Sequence, residues 1–297
     1  MRRITASQEL ALRHCFSPTF LRSVAKNGKA PLFYHLIERC GWPIHVMRQQ
    51  APTVGDALNA VYRRIEVENV RCRYRLFVKL FLTELGDTEG ACELGIVAPL
   101  LADRLEADIV VYDGKRSSAY VIPFDEETPE DYAARIEALG HMCDRVWAVF
   151  WLEDNPVYTP HLPNWAGLFL YTEDSRLARV REPVEDFLRL DLQSVLQPVR
   201  TDESRVMMAD LGLELLPGSR GQLRDNILAL ERVRLTTLYP ILMRRMAELR
   251  RPEALHSASV MLPRCLVPAV LFLGLNGLET LRVASACRVL LSRADTW

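Results

Sequence analysis

Four carboxylates stand around two short apolar runs. Asp108 comes immediately before Ile109–Tyr112, and Asp125, Glu126 and Glu127 follow Ala119–Ile122. Carboxylate oxygens are hard ligands of the kind Mg²⁺ takes in near-octahedral geometry. Each also has a plainer use. A single carboxylate at a strand end commonly faces water. An acidic run ahead of Thr128-Pro129-Glu130 suits the positive end of a helix, with Thr128 as cap and Pro129 at the first helical position. A second group is basic: Arg63, Arg64, Arg71, Arg73, Arg75 and Lys79. Arginine grips phosphate bidentately. If one helix carries this cluster, Arg64, Arg71 and Arg75 share a face, and they are the candidate nucleic-acid-binding residues. Metal chemistry through sulfur is not supported. The seven cysteines form no CxxC pair, and the one close histidine is His14 beside Cys15. That spacing gives no structural zinc site and fits buried thiols in a reducing cytoplasm.

Three zones must position these residues. The first, 1–60, is an N-terminal helical region in which Ser17 caps a helix opening with Pro18, and Asn27-Gly28 closes it. The second, 61–175, is an α/β core. Its opening, from Tyr62 past Phe81, runs more than twenty residues without a turn signal, so its length predicts one long helix. Glu66 and Glu68 would pair there with neighbouring arginines. Ala91–Val97 reads as a first strand, and Ala98–Arg104 as an insertion. The turn Asp113–Gly114 joins the two apolar runs and carries Lys115 at the end of the hairpin away from Asp108. A helix over Tyr132–Cys143 packs Ile136, Leu139 and Met142 on the sheet, with Arg135 expected to pair with Asp131 or near Glu137. Val146–Leu152 and Asn164–Thr172 are further strands. The third zone, 176–297, is helical in pattern and mildly basic, and Cys265–Leu275 reads as a buried helix or helix pair.

In order and spacing, residues 60–152 resemble the core of the PD-(D/E)xK nuclease superfamily, the restriction-endonuclease-like fold. The likeness is to its uncharacterised bacterial members, in which an Ala-Asp-aliphatic strand precedes a Tyr-Glu-Ile-Lys strand and an amphipathic helix. Asp108 matches the aspartate. Tyr120-Val121-Ile122-Pro123 stands where Tyr-Glu-Ile-Lys is expected. The resemblance implies an α/β fold: a restriction-endonuclease-like mixed sheet core flanked by helices, with a C-terminal helical region. It also implies a Mg²⁺ site that activates water and stabilises charge on phosphorus, with the lysine adding positive charge there. Valine cannot ligate Mg²⁺, and proline has neither charge nor backbone donor. Activity would then require substitutes. The catalytic candidates are Asp108, Asp125 and Glu126. The metal candidates are Asp108, Glu68 (where the family's first helix turns a glutamate to the metal) and Glu93.

Composition bounds the function. The chain has 297 residues, 49% of them hydrophobic and 25% charged, with a formal net charge of −1. There is thus no global pull toward nucleic acid, and binding must come from a local patch. No Walker loop, GxGxxG, HExxH or GxSxG motif is present. The N-terminus lacks an apolar signal segment, and the eleven residues Cys265–Leu275 are too few to span a bilayer. The expectation is a degenerate, catalytically inactive nuclease-like protein of the cytoplasm, acting by binding nucleic acid or protein. One alternative is an active metal-dependent nuclease with a relocated carboxylate site. Another is a regulatory or structural module unrelated to nucleic acid. No cofactor is expected, save Mg²⁺ for the active alternative. The partners left open are DNA, RNA or an unidentified protein, and no membrane.

Overall fold

The computed structural model describes residues 4–28, 40, 54–86, 95–96, 100–102, 105–212, 225, 227–228, 234–250 and 253–294. The chain is mixed α/β and falls into two compact units. One comprises Met1–Glu89, Glu173–Arg176 and Pro252–Trp297, and the other Gly90–Thr172 and Leu177–Arg251. Residues 61–89, expected with the α/β core, thus fall in the unit that holds the N-terminal helices.

The first unit opens with α1 (Ala6–Cys15). Thr5 caps it by accepting the Gln8 N–H, while the Gln8 side chain accepts the Thr5 N–H. In α2 (Pro18–Asn27), Ser17 caps the start and Gly28 ends the helix at φ 61°, as the sequence indicates. The single helix expected over 62–85 is instead two, α3 (Val54–Val67) and α4 (Arg73–Leu80). Asn69 makes the break. It sits at φ 52°, a conformation that asparagine tolerates better than most residues, and the Val70 N–H turns back to the Ile65 carbonyl.

Among the described residues, the second unit is organised by a six-stranded sheet whose neighbouring strands are hydrogen-bonded in chain order, except for a separate hairpin that lies in the chain between the first two. The strands are β1 (Gly95–Ile96), β4 (Ile109–Tyr112), β5 (Ser117–Val121), β6 (Arg145–Trp151), β7 (Gly167–Tyr171) and β8 (Leu177–Arg181). β4 pairs antiparallel with both of its neighbours, β1 and β5. Helix α5 (Pro129–Gly140) then returns the chain so that β6 lies parallel to β5, and β7 parallel to β6. β8, which the residue pattern did not reveal, closes the edge antiparallel. The expected insertion contains β2 (Leu100–Ala102), paired with β3 (Leu105–Ala107) in a separate two-stranded sheet.

Strand alternation sorts the core. Val110, Ala119, Val121, Val146, Ala148, Phe150, Leu168 and Leu170 are buried in one cluster with Tyr132, Ile136 and Leu139 of α5. Period-two geometry places Tyr120, Trp147 and Phe169 on the opposite face. The Tyr120 and Trp147 rings stack there, 6.2 Å apart. Gly167 is required at this point: a Cβ would lie 2.5 Å from the Trp147 ring. Beyond β8 the described residues are helical, as expected: α6 (Leu192–Leu196), α7 (Thr201–Asp210), α8 (Leu235–Leu249), α9 (Glu253–Met261) and α10 (Gly277–Ala294), with the intervening 264–272 in short helical turns. α9 and α10 belong to the first unit, where α10 packs on α2, α3 and α9.

Candidate functional site: the Asp108 cluster

Asp108 sits at the bend between β3 and β4, one residue beyond the Ile109↔Tyr120 pair. Its N–H donates to the Tyr120 carbonyl at 2.9 Å. The side chain is 2% exposed rather than solvated, and Oδ2 accepts the Ile122 N–H at 2.7 Å. β5 has just ended there, and Pro123, which has no N–H, prevents the ladder from continuing. A side chain thus takes over where the strand pairing stops.

The Ile122 carbonyl is satisfied from the other side. Arg135, on α5 and 4% exposed, donates Nη2 to it at 2.9 Å and Nη1 to the Glu106 carbonyl at 2.7 Å. The guanidinium also forms a bidentate pair with Glu127, Nε–Oε1 2.9 Å and Nη2–Oε2 2.6 Å. Glu127 in turn accepts the Phe124 N–H at 3.0 Å. The expected partners of Arg135, Asp131 or a group near Glu137, are replaced by a residue eight positions earlier, because the loop before α5 folds back over the helix. Asp131 instead accepts from the Thr128 hydroxyl, while Thr128 caps α5 through the Asp131 N–H. Tyr132 completes the cluster. Its hydroxyl donates to the Val121 carbonyl at 2.7 Å and accepts the Val149 N–H at 3.1 Å. Burial raises its phenol far above the usual range.

Asp125 and Glu126 lie in an exposed turn after β5; the acidic run is a loop whose last member, Glu127, is buried in the pair with Arg135. Glu68 lies in the turn after α3, in the first unit, 3.8 Å from Arg64, the local pairing expected, whereas Glu66 pairs with Lys79 of α4 at 2.8 Å rather than with a neighbouring arginine. Glu93 lies outside the described residues. Lys115 sits in the exposed hairpin turn, at the end away from Asp108.

The three arginines proposed for nucleic acid do not share a helix face. Arg64 is on α3, Arg71 in the connection and Arg75 on α4. Arg75 is fully buried, and its guanidinium donates to the Ile65, Glu66 and Val70 carbonyls and to the Asn69 side chain, at 3.2–3.4 Å. It holds the turn between the helices. Arg64 donates to the Cys40 carbonyl at 2.7 Å.

Chemically, the Asp108 cluster satisfies backbone; it does not gather metal ligands. Val121 is completely buried in the apolar core. Glu127 is bound to a guanidinium. Among the described residues no group of three or more His, Cys, Asp or Glu side chains comes together. Mg²⁺ does not fit this donor set. No family model, curated protein or solved structure matches the chain. Among the described residues no helix is long and apolar enough to cross a membrane.

Proposed function

We propose that this chain is a degenerate member of the restriction-endonuclease-like group that has exchanged catalysis for binding. The observation that carries the reading is the fate of the two matched positions. The aspartate is committed to the Ile122 N–H, and the residue in the glutamate's place faces the apolar core. The order of strand, strand, helix and strand, with Asp108 ahead of the hairpin and α5 leading to β6, supports the ancestry.

A protein partner is the better-supported ligand. Six of the described arginines that could track phosphate are engaged within the fold. Arg75 is buried, Arg64 holds a carbonyl, and Arg116 and Arg145 both pair with Glu185. Arg245 is bound to Asp210 and Glu248, and Arg250 to Glu203. Releasing each guanidinium for phosphate would cost its present partner. The test is incubation of the purified protein with duplex DNA, single-stranded DNA and RNA, with Mg²⁺ or Mn²⁺, alongside fluorescence anisotropy at low salt. No cleavage and no binding are expected. Reproducible metal-dependent cleavage abolished by Asp108→Ala overturns the inactive reading. Tight, salt-dependent binding without cleavage keeps inactivity and replaces the protein partner by nucleic acid.

A further inference from the structure

Six of the cysteines are described, and all are buried free thiols. Two of them meet. Cys15, at the C-terminal end of α1, and Cys40 are 25 residues apart in sequence, yet their Sγ atoms lie 3.5 Å from each other in the first unit. A disulfide needs about 2.05 Å between sulfurs, so the two Sγ atoms must approach by about 1.5 Å to close the pair. The third participant is Arg64. Its Nη1 donates to the Cys40 carbonyl at 2.7 Å, and this fixes a positive charge beside that residue.

We propose that Cys15 and Cys40 form a reversible redox site, in which a small hydroperoxide oxidises Cys40 and Cys15 then closes the disulfide. The Cys40 thiolate attacks one oxygen of the hydroperoxide. The O–O bond breaks, an alcohol (or water, from hydrogen peroxide) leaves with a proton from the medium, and Cys40 becomes a sulfenic acid. Cys15 Sγ then attacks Cys40 Sγ and the S–O bond breaks. The departing hydroxide takes the Cys15 proton as water. Two thiols and one hydroperoxide give one disulfide, one alcohol and one water, and a dithiol reductant reverses the change.

The two sulfurs are suited to unequal roles. The hydrogen bond with Cys15 lowers the Cys40 thiol, burial opposes this, and the Arg64 charge lowers it further. The same hydrogen bond, with burial, raises Cys15. Cys40 is therefore the residue to be oxidised and Cys15 the one that resolves it. The remaining thiols supply internal controls. Burial pushes both Cys143 and Cys287 up to about 12, where little thiolate exists to react.

The experiment treats the full chain with hydrogen peroxide, blocks the remaining thiols with an alkylating reagent and maps the peptides by mass spectrometry. The expected product joins the Cys15 and Cys40 peptides and is reopened by dithiothreitol. It should form at least ~10-fold faster than any oxidation of Cys143 or Cys287, since thiolate fraction changes tenfold per pKa unit and nucleophilicity offsets about half of that. In Cys15→Ala, Cys40 should accumulate as a sulfenic acid that dimedone traps. If that variant does not fold, the wild-type peptide map decides alone. Alkylated Cys15 and Cys40 after treatment, or Cys15 joined instead to Cys72, overturns the proposal.

Discussion

The Asp108 carboxylate and the Ile122 backbone form a 2.7 Å hydrogen bond inside the fold, with Asp108 only 2% exposed. The bond replaces the strand pairing that stops at Pro123, and it occupies an oxygen that a metal would need. Removing it leaves a buried N–H without its acceptor. Hydrogen bonds to charged groups contribute about 1.5–3 kcal/mol. Asp108→Ala should therefore lose ~2–3 kcal/mol in urea denaturation. Asp108→Asn, which keeps an acceptor oxygen, should lose less than half as much. Equal stability of wild type and Asp108→Ala would show that the bond contributes nothing.

The Arg135–Glu127 pair is buried on both sides, 4% and 8% exposed. Breaking such a pair from one side leaves an uncompensated charge and costs about 3–5 kcal/mol. Arg135→Met and Glu127→Gln should each be strongly destabilising, and the double variant should cost less than their sum. Strict additivity would mean that the two residues act independently.

Val121→Glu supplies the glutamate that the proposed nuclease ancestry would require, but places a carboxylate in a fully buried apolar site. Loss of several kcal/mol of stability is expected, with no gain of Mg²⁺ binding by calorimetry. A folded Val121→Glu protein that binds Mg²⁺ would show that the side chain reaches a latent site.

Two exposed aspartates set part of the acid response. Partial burial opposes the shift, but the Arg116 and Lys115 N–H groups hold Asp113 below the usual carboxylate range, and the N–H and hydroxyl of Ser194 do the same for Asp191. A lowered folded-state pKa gives stability that is present above the unfolded value of about 3.9 and is lost as pH falls through the folded one. Asp191→Ala should cost ~1 kcal/mol at neutral pH as a lost helix cap, and that difference should begin to shrink as pH falls below about 4 and disappear once pH is below the lowered folded-state value. A difference that persists undiminished in acid would assign the effect to packing.

Much of the second unit was legible because its signals are local. Thr128-Pro129 marks the start of α5, Asp113-Gly114 turns the hairpin, and the apolar runs give β4, β5, β6 and β7. What stayed hidden depends on contacts through space. Only the folded loop brings Glu127 to Arg135. The arginine-rich stretch gave no sign that Arg75 would turn inward to hold the Asn69 break, and one asparagine with φ 52° is a weak signal inside a helical pattern. β8 was missed because its alternation, Leu177-Ala178-Arg179-Val180-Arg181, is half-exposed and charged, as an edge strand is expected to be. The candidate site was half legible: Asp108 stood out from its place before β4, but its use could be seen only once Ile122 lay beside it.

Mn²⁺ titration of the folded wild-type protein by calorimetry tests most directly whether Asp108 serves backbone rather than metal. No saturable heat is expected at millimolar Mn²⁺ or Mg²⁺, because the Asp108 oxygen is held by the Ile122 N–H and the nearby Glu127 by Arg135. Saturable binding that disappears in a folded Asp108→Asn variant would contradict the account and restore the active-nuclease reading.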